Sequence, residues 1–121
     1  IIALYQVKTV LNDVTVLSSN SFSVEHMMPK KWEQNWDAVA TQEEINHRNY
    51  KLLTLGNLTI ITKNLNSKLR NSAWSNKRAV LQQFSALPLT TNYTSLDVWN
   101  EITINNRAED LEHLALQIWK K

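Results

Sequence analysis

Three short segments carry side chains whose types and spacing can do chemistry together. Val24-Glu25-His26-Met27-Met28-Pro29 sets an acid beside a histidine at the end of an extended run. Gly56-Asn57-Leu58-Thr59-Ile60-Ile61 opens a second run with an amide, and Asn64-Leu65-Asn66-Ser67-Lys68 follows with two more. An imidazole, with an ordinary pKa of about 6.5, can take a proton from water near neutral pH, which makes His26 a candidate general base. Asn66 lies nine positions after Asn57, the interval a strand and turn need to return a helix residue beneath the first strand. His47 and His113 stand in no such context and read as surface or core histidines.

Those side chains need elements to hold them. Phe22, Val24 and His26 share one face of a short extended segment that Pro29 should end, which puts His26 at a strand terminus. Gly56-Asn57 is strong turn chemistry feeding the β-branched run to Thr62. Between them Thr41-Gln-Glu-Glu44 is a capping box for a helix to about Leu53, while Lys30 to Ala40, with Trp32 and Trp36, fits neither pattern clearly. Asn64 to Asn71 reads as a short helix and Trp74 to Phe84 as a longer amphipathic one closed by Pro88. Thr94 or Ser95 can cap a turn holding Leu96 and Trp99. Asn100 can cap a last helix with Ile104, Ala108, Leu111, Ala115 and Ile118 on one stripe. Upstream, Leu4, Val7, Val10 and Leu11 have helical spacing, Asn12-Asp13 is a stop, and Ser18 to Ser21 is a polar linker.

The expected class is α+β, mostly helical, around a two-stranded antiparallel hairpin plus helix. One domain is expected over residues 1–121: a supporting helix and linker (1–20), a core with a helical insertion (22–71) and a helical C-terminal part (72–121). At 121 residues the chain suits a single core, which the five tryptophans should anchor rather than stack on bases. It begins without methionine inside a helix-like stretch, and the expectation is a fragment of something longer.

Composition excludes several chemistries. With no cysteine there is no thiol nucleophile, disulfide framework or zinc ribbon, and a single glycine provides no Gly-rich phosphate loop. No apolar run can span a bilayer, so a soluble intracellular protein is expected. The formal charge is only +2, yet the basic residues from Lys63 to Arg78 have no acid among them, whereas Asp97 to Glu112 holds five acids and one arginine. Lys68, Arg70, Lys77 and Arg78 are therefore candidates for contacting phosphates, against the alternative of a solvated face.

Read in order, the three segments resemble the ββα-metal (His-Me finger, HNH) nuclease motif. The wider pattern resembles the C-terminal HNH domain of Gmr-type modification-dependent (type IV) restriction endonucleases and related phage-defence proteins. The shared landmarks are Glu25 to Pro29, Leu55 to Leu58, and Asn66, Asn71, Trp74 and Lys77, continuing to Trp99, Ile104, Arg107 and Trp119. They cover roughly residues 20 to 120.

The resemblance implies a metal-dependent DNA endonuclease active in defence against phage or modified foreign DNA. His26 would be the base, Glu25 and Asn66 the metal ligands with Asn64 as runner-up, and Asn57, Gly56 and Pro29 structural members of the motif. During phosphodiester hydrolysis, charge grows on the nonbridging oxygens and the leaving 3′ oxygen, which one divalent cation can stabilise. Oxygen ligands suit Mg²⁺ or Mn²⁺. Glu25 stands where the motif often has aspartate and is one methylene longer, so direct coordination and a water-mediated contact both stay open. The resemblance further implies DNA as partner, a nucleotide-hydrolysing DGQQR-type module upstream in the same protein, no membrane, and a prokaryotic cytoplasm. Two rivals remain: a catalytically inactive HNH-like domain that binds DNA or a protein, and a helical interaction module. Asn49 and Arg107 carry no assignment.

Overall fold

The computed structural model describes residues 22–85 and 87–119. The helix expected over 3–12 and the linker at 18–21 lie outside the described residues. The fold is α+β and mostly helical, as expected, with a single two-stranded antiparallel sheet among the described residues.

Strands β1 (Phe22–His26) and β2 (Leu58–Thr62) pair with Glu25 opposite Thr59 and His26 opposite Leu58. Alternation gives the hairpin two faces. Glu25, Thr59 and Ile61 are buried, whereas Val24 on the other face is 58% exposed. Helix α1 (Gln42–Lys51) fills the long connection between the strands, and its N-cap Thr41 accepts a bond from the Glu44 N–H at 3.1 Å. The Glu44 carboxylate meets the Thr41 hydroxyl at 3.2 Å, so the pair forms a cap of different geometry from the expected box.

Helix α2 (Lys63–Leu69) leaves β2 without a loop because the Thr62 hydroxyl caps it, accepting from the Leu65 N–H. Its Leu65 and Leu69 close over Ile61 together with Leu81 of α3 (Trp74–Phe84). Pro88, expected to close α3, instead opens a further short helix, α4 (Pro88–Thr91), where its missing N–H costs nothing at the first turn. Helix α5 (Glu101–Ile118) starts at Asn100 in a reciprocal capping box with Thr103.

The main core gathers Met27, Met28, Trp32, Leu52, Trp74, Trp99 and Ile104. Its indoles are in contact, Trp74 and Trp99 stacking at 5.2 Å and Trp36 and Trp74 tilted at 6.4 Å. Each buried indole N–H finds an acceptor: Trp32 on Asn49 Oδ1, Trp74 on the Leu96 carbonyl and Trp99 on Asn57 Oδ1. Trp119 departs from the expected core role, being 57% exposed at the end of α5.

Gly56 is needed for a different reason from the one its turn suggests. Its φ is not positive, but a Cβ there would lie 2.1 Å from the Ile104 carbonyl oxygen of α5. Arg107 fixes the same turn. Its guanidinium is fully buried and donates to the carbonyls of Leu55, Gly56, Leu58 and Leu89, which ties the entrance of β2 to α5.

Candidate active site

Asn57 organises the segment that follows His26. Its side chain is fully buried, and Oδ1 accepts from the Met28 N–H at 2.8 Å and from Trp99 Nε1 at 3.0 Å. Nδ2 donates to the carbonyls of Met28 and Leu52 at 2.9 and 3.0 Å. The Met27 N–H adds a bond to the Asn57 carbonyl. The amide thus has four partners and ties the start of the long connection to its end. Pro29, also buried, turns the chain away beyond Met28.

β1 stops at His26, so Glu25 and His26 line one open groove of about 380 Å³ although they alternate along the strand. Pro29, Lys30, Lys31, Arg70 and Asn71 complete it. The His26 imidazole makes no hydrogen bond with another described residue, and His26 is part of the groove's lining. Burial, together with the charges of Lys30 and Lys77, lowers its pKa below the ordinary value, so the ring is neutral near pH 7.

Glu25 is only 6% exposed, and its Oε2 is the one buried side-chain polar atom among the described residues without a hydrogen-bond partner. The other oxygen, Oε1, lies 3.8 Å from Lys77 Nζ. Burial raises the Glu25 pKa against the pull of Lys77 and pushes that of Lys77 down to about 8. Desolvation outweighs the attraction between the two, as it commonly does for buried pairs.

Asn66 lies on α2 beneath β1 and donates through Nδ2 to Ser23 Oγ at 3.1 Å, leaving its carbonyl oxygen as the atom able to meet a cation. Ser23 and Glu25 share a strand face. Asn64 is exposed. The groove lining takes in neither Asn66 nor Asn64; the amide that it does take in is Asn71. No group of three or more His, Cys, Asp or Glu is present among the described residues, so any cation here would rest on a mixed carboxylate and amide set.

A family model describing the C-terminal domain of GmrSD restriction endonucleases matches residues 2–114. The chain belongs to that family. No curated protein and no solved structure matches it. Membership in the GmrSD C-terminal family gives the chain a role related to restriction endonucleases. Among the described residues no helix is long and apolar enough to cross a membrane.

Within this GmrSD-type domain the four cations proposed for phosphate contact separate. Lys77 is a correction: it is 0% exposed, and Nζ donates to the His26 carbonyl at 2.9 Å, so it braces the end of β1 and cannot reach a DNA strand. Its place on the buried stripe of α3, one turn from Leu81, was visible in the spacing. Arg78 bonds the Leu96 carbonyl and Asp97 at 2.8 and 2.9 Å, pinning α3 to that turn. Lys68 sits over the Phe84 ring. Arg70 alone of the four lines the groove, delivered there by a backbone φ of 41° at the end of α2. Lys30 and Lys31 reach the same groove and were missed; their position directly after Pro29 was the available signal.

Proposed function

We propose that this domain hydrolyses DNA phosphodiester bonds by an HNH-type mechanism, with His26 as general base and one Mg²⁺ or Mn²⁺ held by Glu25 and Asn66. The observation that carries the reading is the groove itself, where an unbonded imidazole lies beside a buried carboxylate with an unpartnered oxygen. The donors fit a hard divalent cation, since among the described residues Glu25 Oε2 has no hydrogen-bond partner and Asn66, which bonds Ser23 through Nδ2, has a carbonyl oxygen to offer. Such an ion, when bound, would stabilise the charge developing on the phosphate and the leaving oxygen.

The protein's own residues then have separate tasks. Lys30, Lys31 and Arg70 draw the phosphate backbone to the groove. The His26 imidazole, neutral near pH 7, accepts the proton of the attacking water. Lys77 holds the His26 carbonyl and Asn57 the segment after it, which keeps the ring in place. The cations of the groove offer point charges to phosphates, which carry no base sequence, so we assign the choice of modified or foreign phage DNA to a DGQQR-type nucleotide-hydrolysing module upstream in the same prokaryotic, cytoplasmic protein.

Plasmid nicking by the 121-residue chain in Mg²⁺, Mn²⁺ and EDTA tests the reading. Activity should require the ion, and His26→Ala should lower the rate by about 10²- to 10⁴-fold with DNA binding and thermal unfolding retained. Wild-type cutting by that variant would sink the assignment. Asn66→Ala should raise the Mn²⁺ concentration needed, while an unchanged titration would transfer the ligand role to Asn64 or Asn71. One observation favours an inactive, DNA-binding form of the same domain: Lys77 already places a cation beside Glu25. Ion binding without turnover would identify it.

A further inference from the structure

The groove beside His26 is built from two stretches of chain far apart in sequence. Pro29, Lys30 and Lys31 follow β1, whereas Arg70 and Asn71 form the turn that ends α2. Two side chains tie these stretches together. After Lys31 the chain makes a single 3₁₀ turn (Trp32–Gln34), and the next two residues both reach across to the turn after α2. Asn35 Nδ2 donates to the Asn71 carbonyl at 3.0 Å, and Trp36 Nε1 donates to the Ser72 carbonyl at 3.1 Å. Each donor lies 36 positions from its acceptor, so neither bond is a by-product of local folding. The acceptors are main-chain carbonyls that any residue would provide, and only the donors can be removed by substitution. Trp36 is itself seated, its ring tilted against Trp74 at 6.4 Å on the main core. The turn that these bonds hold is a constrained one. Arg70 has a φ of 41°, and its Nε bonds the Ser67 carbonyl at 3.2 Å. A residue other than glycine persists in that region where its surroundings over-determine it.

We infer that Asn35 and Trp36 are positioning residues for DNA. By clasping successive carbonyls of the turn they hold Arg70 and Asn71 at the groove, and through Arg70 they set its grip on a phosphate. Neither side chain has to touch the nucleic acid. The inference rests on the reading of the groove as the path of a DNA backbone, given above, but not on cleavage.

Binding of a short DNA duplex by the full 121-residue chain, followed by fluorescence anisotropy in EDTA over a range of salt, tests this without turnover. Arg70→Ala should weaken binding and flatten the slope of log affinity against log salt by about 1. Asn35→Ala combined with Trp36→Phe, which keeps a ring against Trp74 but removes the N–H, changes no charge. The pair should nonetheless flatten the slope by about 1, and adding Arg70→Ala should bring little further loss, because both act through one phosphate contact. Asn35→Gln in place of Asn35→Ala returns a donor and should recover part of the affinity. Should the pair unfold the chain, Asn35→Ala alone, at an exposed position, carries the same comparison with Arg70→Ala. A wild-type slope in the Asn35 and Trp36 variants, beside a flattened one in Arg70→Ala, would overturn the inference. Losses that simply add to that of Arg70→Ala would overturn it too, since general loosening of the fold would act in that way. A slope unmoved by Arg70→Ala itself would overturn the reading of the groove, and the inference with it.

Discussion

His26 is the residue on which the chemistry turns, and its surroundings fix the pH at which it can act. Burial lowers its pKa first, and the positive charges of Lys30 and Lys77 lower it further. A base must be neutral, so the rising limb of the cleavage rate should lie below the ordinary imidazole value of about 6.5. Replacing the exposed Lys30 with alanine removes one of the charges and should move that limb to higher pH; a limb that stays in place would show that the imidazole is not the titrating base. Glu25 and Lys77 give a second expectation. Lys77→Met leaves a buried carboxylate without its counter-ion and the His26 carbonyl without its donor, a loss of about 3–5 kcal/mol at neutral pH. The Glu25 pKa is already raised, so the folded protein holds that proton more firmly than the unfolded chain does. Stability from this group is therefore full in acid and is lost as pH rises through the raised value. Urea unfolding of Lys77→Met should accordingly show a smaller deficit at pH 5 than at pH 8, and equal deficits would contradict the account.

At the scale of elements, the site rests on the approach of the hairpin to α5, where Gly56 meets the helix backbone and Arg107 of the helix holds the carbonyls at the entrance of β2. Gly56→Ala would drive a Cβ against the Ile104 carbonyl, and since backbone cannot swing aside, a destabilisation of about 1–3 kcal/mol is expected in chemical denaturation. The sequence displayed much of this layer. The stop that Pro29 gives just beyond β1, the caps at Thr41 and Asn100 and the apolar stripe of α5 are local signals, written within a few residues of where they act. Gly56 was legible as a turn but not as a contact, because its neighbour lies 48 positions away in α5. Lys77 was misread for a related cause. A lysine on an apolar stripe looks like surface charge until a buried acid and a carbonyl from another element are seen to receive it. Arg107 was beyond reach from sequence, since all its acceptors are main-chain carbonyls.

Across the whole molecule, charge and backbone conformation meet at Arg70. With φ at 41° it occupies a region that favours glycine, so Arg70→Gly should raise stability by about 1 kcal/mol. The same change should flatten the slope of log affinity for DNA against log salt by about 1, because one phosphate contact is lost. Arg78→Ala, whose guanidinium already has Asp97 and the Leu96 carbonyl, should leave that slope unchanged. The bonds of Asn57 carry a consequence for the order of folding. They join it to Met28, 29 positions earlier, and to Trp99, 42 positions later. Neither bond can form until a long loop has closed, and closing such loops is slow compared with winding a helix. The helices can therefore be present early while the bend beyond His26 is still open. Asn57, poised between the bend and the aromatic core, then makes the completion of one conditional on the completion of the other, so that the groove is assembled in the same late step that seals Trp99 from water.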